Sequence, residues 1–278
     1  MPVSAAYAAV LVSALAHASW NAVLKNSGDR ALMLSSIRLI GLVAGIVVAA
    51  FVAPPSAESL PYLAGAAAIH YAYFALMIGS YRVGDMNQVY PIARGIAPML
   101  VLLPGAWIAG EAVGGISLLA VGLISAGVLL LASGGTSTNR KALFLAVCTG
   151  ISIAGYSVLS GEGIRRSGSL LGYIAWLEIS TGVGMVGFAC TRSKAVLSAF
   201  AVAHWKPALA AGVLSISAYA VALLAMSVAP IAQVVALRET SVVFAACIGS
   251  LFLGERFGAR RIAASIVVAA GLVLLSSA

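Results

Sequence analysis

Apolar runs of about twenty residues follow one another along the chain, parted by short breaks that hold glycine, proline and charge. A bilayer core of about 30 Å takes about 20 residues of helix. On that measure the pattern predicts ten spans, over 3–25, 31–53, 62–81, 87–109, 114–133, 142–163, 169–190, 207–227, 230–253 and 260–277. The breaks are Gly28-Asp29-Arg30, Pro54-Pro55, Gly84-Asp85, Gly134-Gly135 and the stretch from Arg192 to Lys206. No interval between spans is long enough for a soluble domain. The first run has no basic residues ahead of it and is too long for a signal-peptide core, so it is read as a retained span.

The pattern also repeats. Arg94, Gly110, Glu111 and Gly127 return as Arg238, Gly254, Glu255 and Gly271, each 144 positions later. Ser19-Trp20-Asn21 is echoed by Gly155-Tyr156-Ser157. Residues 134–141 are the only stretch that reads as a linker, and they divide the chain into units 1–133 and 142–278 of five spans each. With an odd number of spans, the second unit enters the membrane in the opposite direction. The fold class expected is therefore an all-α integral membrane protein, ten transmembrane helices forming two inverted five-helix repeats around a central cavity.

Composition agrees, with 62% apolar and 9% charged residues against about 45–50% and about 25% in soluble domains. The net charge of +8 comes from short loops rather than a basic face, which argues against nucleic acid. Eleven basic residues, from Lys25 to Arg261, fall in loops after odd-numbered spans, and only Arg165 and Arg166 fall after even-numbered ones. The positive-inside rule then puts the odd loops in the cytoplasm and both termini outside, with the Arg165-Arg166 pair against the trend. Cys148, Cys190 and Cys247 are far apart and suggest neither a disulfide framework nor a metal site. Without a phosphate-binding loop, an acidic cluster or a hydrolytic triad, no metal, cofactor or enzyme activity is expected, and no obligate protein partner is evident.

Two closings carry a resemblance. Phe252-Leu253-Gly254-Glu255-Arg256 and Ile108-Ala109-Gly110-Glu111 each end the fourth span of a half. Each is followed by a glycine-containing last span, Val121-Gly122 to Leu131 and Val267 to Leu275. Over its whole length the chain resembles the drug/metabolite transporter superfamily, in the ten-span group built from two EamA-type domains. The resemblance implies a basket of helices around a solute cavity, lined by the first, third and fourth spans of each half. It also implies export of amino acids, other metabolites or drugs.

Candidate residues follow from helical spacing. Ser13, His17, Trp20 and Asn21 share a face of span 1, as a cavity wall or as hydrogen-bonding glue between helices. Tyr156 lies on the matching face of span 6. Span 4 aligns Asn87, Tyr90, Pro91, Arg94 and Pro98, and Arg94 either holds a carboxylate or pairs with Glu239 or Glu178. In span 9 Gln233, Arg238 and Glu239 are candidates, with Gln233 favoured for solute. Span 3 offers two aromatic stripes, one with His70, Tyr73, Met77 and Tyr81 and one with Tyr71, Phe74 and Ile78, and Tyr219 in span 8 has similar standing. Arg38 and Glu178 read as structural. The substrate-binding set is His17, Trp20, Asn21, Tyr73, Tyr90, Arg94, Tyr156, Tyr219, Gln233 and Arg238, with Pro91, Pro98 and Pro230 as flexible points. The function read from these residues is a secondary transporter of the cell (inner) membrane. It would export small solutes, chiefly amino acids including aromatic ones, by alternating access. The alternative is an exporter or exchanger of drugs, organic anions or other metabolites.

Overall fold

The computed structural model describes residues 2–84, 86–111, 114–132, 139–252 and 258–276. The described residues form helices and no strand. These are α1 (Val3–Asn26), α2 (Arg30–Ala49), α3 (Leu60–Val83), α4 (Met86–Ile108), α5 (Gly115–Ala132), α6 (Arg140–Arg166), α7 (Leu170–Cys190), α8 (Lys194–Met226), α9 (Ile231–Glu239), α10 (Ser241–Phe252) and α11 (Ala259–Ser276). A single 3-10 turn, Ala57–Ser59, leads into α3. The starts obey local chemistry: Asp29 accepts from the Leu32 N–H at 3.0 Å, and Asn139 accepts from the N–H groups of Lys141 and Ala142. Among the described residues, eight helices, α1 to α8, are long and apolar enough to cross a membrane. The Gly254-Glu255-Arg256 closing and residues 134–138 of the linker lie outside the described residues.

The molecule is apolar outside, and the charges midway along its helices are buried. Trp107 is 95% exposed and Phe51 85%, while Arg38, His70, Arg94, Glu178, Arg238 and Glu239 are buried. Water as solvent would select the reverse, and lipid selects this one.

Two elements depart from the spacing. The eighth span begins at Lys194 rather than 207, because Ser193 caps the Val196 N–H and the helix runs straight through Pro207. The ninth is broken into α9 and α10 at Thr240, although its one proline, Pro230, lies at its very start. There the Thr240 N–H bonds to Leu237 O at 3.2 Å and the Val243 N–H to Thr240 O at 2.9 Å. These are i→i+3 closures that tighten the turn. Span 4, with Pro91, Pro98 and Pro104, is one continuous helix.

Packing pairs α2 with α7, α3 with α6, α1 with α8 and α5 with α11, and α4 lies on α5, α6 and α9. Two of these crossings are close approaches at glycine. A Cβ at Gly127 would lie 2.7 Å from Val268 Cγ2 and 3.0 Å from Ala264 O; one at Gly271 would lie 2.7 Å from Ile124 Cγ1 and 3.0 Å from Ala120 O. Likewise Gly45 abuts Ala175 and Ile179, and Gly182 abuts Arg38 and Leu42. Only glycine permits backbones this close.

Hydrogen bonds sort the connections into two groups. The α2–α3 and α6–α7 connections are joined by Ser56 N–H to Ser167 O at 2.8 Å and Ser169 Oγ to Ala53 O at 2.7 Å. The connections after α4, α6 and α8 meet at Glu111, Arg165 and Ile231. Asn139, before α6, instead donates to Val83 O at the end of α3.

Candidate functional site

α6 is the most enclosed long helix, and Tyr156, midway along it, faces the interior. Around its ring stand His70 and Tyr73 from α3 and Tyr219 from α8. His70 stacks on Tyr156 with centroids 4.0 Å apart and planes at 27°. Tyr73 and Tyr219 meet Tyr156 edge-on at 5.5 and 6.2 Å. Tyr219 donates to Ser160 Oγ at 3.1 Å, which fixes its ring. Aromatic faces and edges of this kind accept flat apolar groups and cations.

The choice between the two stripes of α3 follows. His70 and Tyr73 meet Tyr156, and Phe74 of the other stripe is buried against both of them, whereas Tyr71 bonds to Ser180 O on α7 and is exposed. His70 is thus part of the cluster although Tyr73 alone was singled out from its stripe. Its position three residues before Tyr73 was the available signal.

The guanidinium of Arg238 lies over the Tyr219 ring, 5.1 Å from the centroid. Arg238 is 5% exposed and, among the described residues, makes no ion pair. The other two arginines inside spans are paired. Arg94 Nε is 2.6 Å from Glu239 Oε2, a contact not aligned as a hydrogen bond. Arg94 also donates to Ser241 Oγ at 3.3 Å. Arg38 bonds to Glu178 at 3.1 Å and to Ser215 at 2.5 Å. The central charges therefore sum to an excess of one positive: Arg94 and Arg238 against Glu239.

Tyr73, Tyr90, Arg94 and Thr149 line a small cavity of about 10 Å³, room for about one water. The site is closed around its own side chains. Pro98 leaves the Arg94 carbonyl without its intrahelical donor.

The remaining candidates lie around the ring cluster rather than in it. His17 and Trp20 meet edge-on at 5.2 Å, with Trp20 Nε1 donating to His17 Nδ1 at 3.2 Å. Trp20 packs among Leu24, Met33, Phe74 and Met77. Asn21 donates to its own helix at His17 O. Gln233 is held between Tyr7, which donates to its carbonyl, and Ser117, to which it donates at 2.9 Å. Tyr90 packs on Val128, Val242 and Val268. Pro230 is the N-cap of α9. The Asn87 and Tyr81 side chains lie outside what is described.

Comparison with known proteins agrees with this architecture. A solved structure, described only as a crystal structure of a protein, shares 16% identity over 99% of this chain and 98% of its own, with a TM-score of 0.77. At that identity the likeness is one of fold. No curated protein matches the chain. Residues 140–277 match the model of the EamA-like transporter family. The second half of the chain is thus similar to the EamA-like transporter family, a likeness that supports the drug/metabolite transporter superfamily and, with the long apolar helices, an integral membrane protein.

Proposed function

We propose that this protein is a secondary transporter that carries small carboxylate-bearing solutes, foremost amino acids including aromatic ones, out of the cell by alternating access. The observation that carries the proposal is Arg238, a buried guanidinium with no carboxylate partner among the described residues, set against a ring of Tyr219, Tyr156, His70 and Tyr73. A buried charge in a membrane protein calls for a counter-charge, and a solute carboxylate supplies it in the bidentate geometry that arginine favours. The rings add apolar area for a side chain and faces for an ammonium.

Two inverted five-helix repeats are part of the proposal. Their support is the exchange of contacts: α1 on α8 answers α6 on α3. Gly127 against Ala264 and Val268 answers Gly271 against Ala120 and Ile124, each member shifted by 144. The split pair α9 and α10 then makes one crossing and α11 the tenth.

One observation favours a second reading, organic anions without an amino group. The acid nearest Arg238 in sequence, Glu239, is already engaged by Arg94, so an α-ammonium has no free carboxylate there. Counterflow into proteoliposomes with a labelled aromatic amino acid, its deaminated acid and its decarboxylated amine separates the readings. We expect uptake of the amino acid, none of the amine, and a loss of about tenfold to a hundredfold in Arg238→Ala, the cost of one charge-assisted interaction. Equal uptake of the amine, or full activity of Arg238→Ala, overturns the carboxylate reading; uptake of the deaminated acid alone selects the second.

A further inference from the structure

Away from the ring cluster, the connections after α4, α6 and α8 converge on a charged contact that the central site does not use. The Glu111 carboxylate lies 2.6 Å from Arg165 Nη2 and accepts the Ile231 N–H at 2.8 and 3.0 Å through its two oxygens. Arg165 also donates to the carbonyls of Met226 at 2.8 Å and Ala229 at 2.9 Å. Ile231 opens α9, where unpaired N–H groups and the helix dipole favour an anion. Pro230, just before it, has no N–H to offer. Glu111 is therefore the group that holds the start of α9 against the α4–α5 connection.

α9 is only nine residues long, a strut of about 13 Å. Its far end carries Arg238 and Glu239, and the helix is interrupted immediately after, at Thr240. One end is thus tied to Glu111 while the other bears the charges of the site. At the opposite end of the molecule, Ser27, Asp29, Arg30, Ile78 and Arg82 border a recess of about 340 Å³.

We propose that Glu111 and Arg165 are the gate residues of their end of the cavity, and that α9 is the moving part. While Glu111 holds Ile231 and Arg165, α9 lies closed; when it releases them, α9 turns about Thr240 and opens a path to Arg238. The tie from Gln233 to Ser117 and Tyr7 lies on the same strut and must also release. This inference rests on the alternating-access reading above.

The test reads access rather than transport. In the full-length protein, with Cys148, Cys190 and Cys247 replaced by alanine, a cysteine replaces the buried Ala232 on α9. A membrane-impermeant maleimide is then added to one side of sealed vesicles at a time. We expect Glu111→Gln and Arg165→Gln to label about tenfold faster than the parent from the side that bears Glu111, since each loses a charge-assisted hydrogen bond. Labelling from the other side should not gain. Glu111→Asp, which keeps the charge on a shorter arm, should fall between and serves where the glutamine variant does not fold. Rates within twofold of the parent in the folded variants, or equal gains from both sides, overturn the gate. Faster one-sided labelling in a protein that carries no solute sinks the transport reading and leaves the gate standing.

Discussion

Three arginines lie inside the spans, and only their partners separate their roles. Arg94 and Arg38 each face a buried carboxylate, Glu239 and Glu178. Removing one member of such a pair strands the other in a medium that does not solvate it. Glu239→Ala or Arg94→Ala alone should cost about 3–5 kcal/mol, and the double variant less than either. Thermal unfolding in detergent, run as a double-mutant cycle, checks this; a double variant that melts at the sum of the two losses would deny the pairing. Arg238→Ala strands no acid, so its melting temperature should stay close to the parent even as transport is lost. From the sequence, Arg94 was open between solute and acid because helical spacing says which face a residue occupies, never what meets it. Gln233 illustrates the same limit: its partners Tyr7 and Ser117 are 226 and 116 positions away, and polarity alone suggested a solute contact.

Elements were more legible than partners. Spans declared by apolar length and closed by charge appear close to their expected bounds, since the lipid sets length and caps set ends. The ninth span is the informative departure. Three prolines do not end α4, whereas α9 and α10 part at Thr240, whose Oγ1 bonds to Leu237 O at 2.7 Å. A hydroxyl that bonds back to its own turn competes with the helix ladder, and such a break leaves no mark as plain as a proline. Glycines give an element-scale prediction. At the α5–α11 crossing a Cβ on Gly127 or Gly271 would press on a backbone carbonyl at 3.0 Å. Gly127→Ala and Gly271→Ala should each lower stability by about 1–3 kcal/mol, while Gly122→Ala, where nothing lies within 4 Å, should not. Equal melting temperatures for all three variants would show that the crossing tolerates side chains.

At the scale of the whole molecule, the loop charges and the hydrogen bonds between loops bear on the same question by independent routes. The charge bias separates odd from even connections, and Arg165 and Arg166 stood against it. Both are occupied at the protein's own surface: Arg165 by Glu111 and two carbonyls, Arg166 by Glu162 at 2.6 Å and by the Tyr62 ring at 4.9 Å. The positive-inside rule counts Lys and Arg rather than net charge, so these contacts give the two arginines a structural role and the pair still stands against the expected orientation. The contacts between connections sort in the same way, Ser56 with Ser167 at one end and Asn139 with Val83 at the other. A cysteine placed at Glu58, ahead of α3, and one at Arg140, at the start of α6, should accordingly label from opposite sides of intact cells. Glu58 is expected to react with an impermeant maleimide added outside, and Arg140 only after the membrane is opened. Labelling of both from one side would remove the basis for threading five spans in each half, and with it the geometric reason for the halves to be inverted.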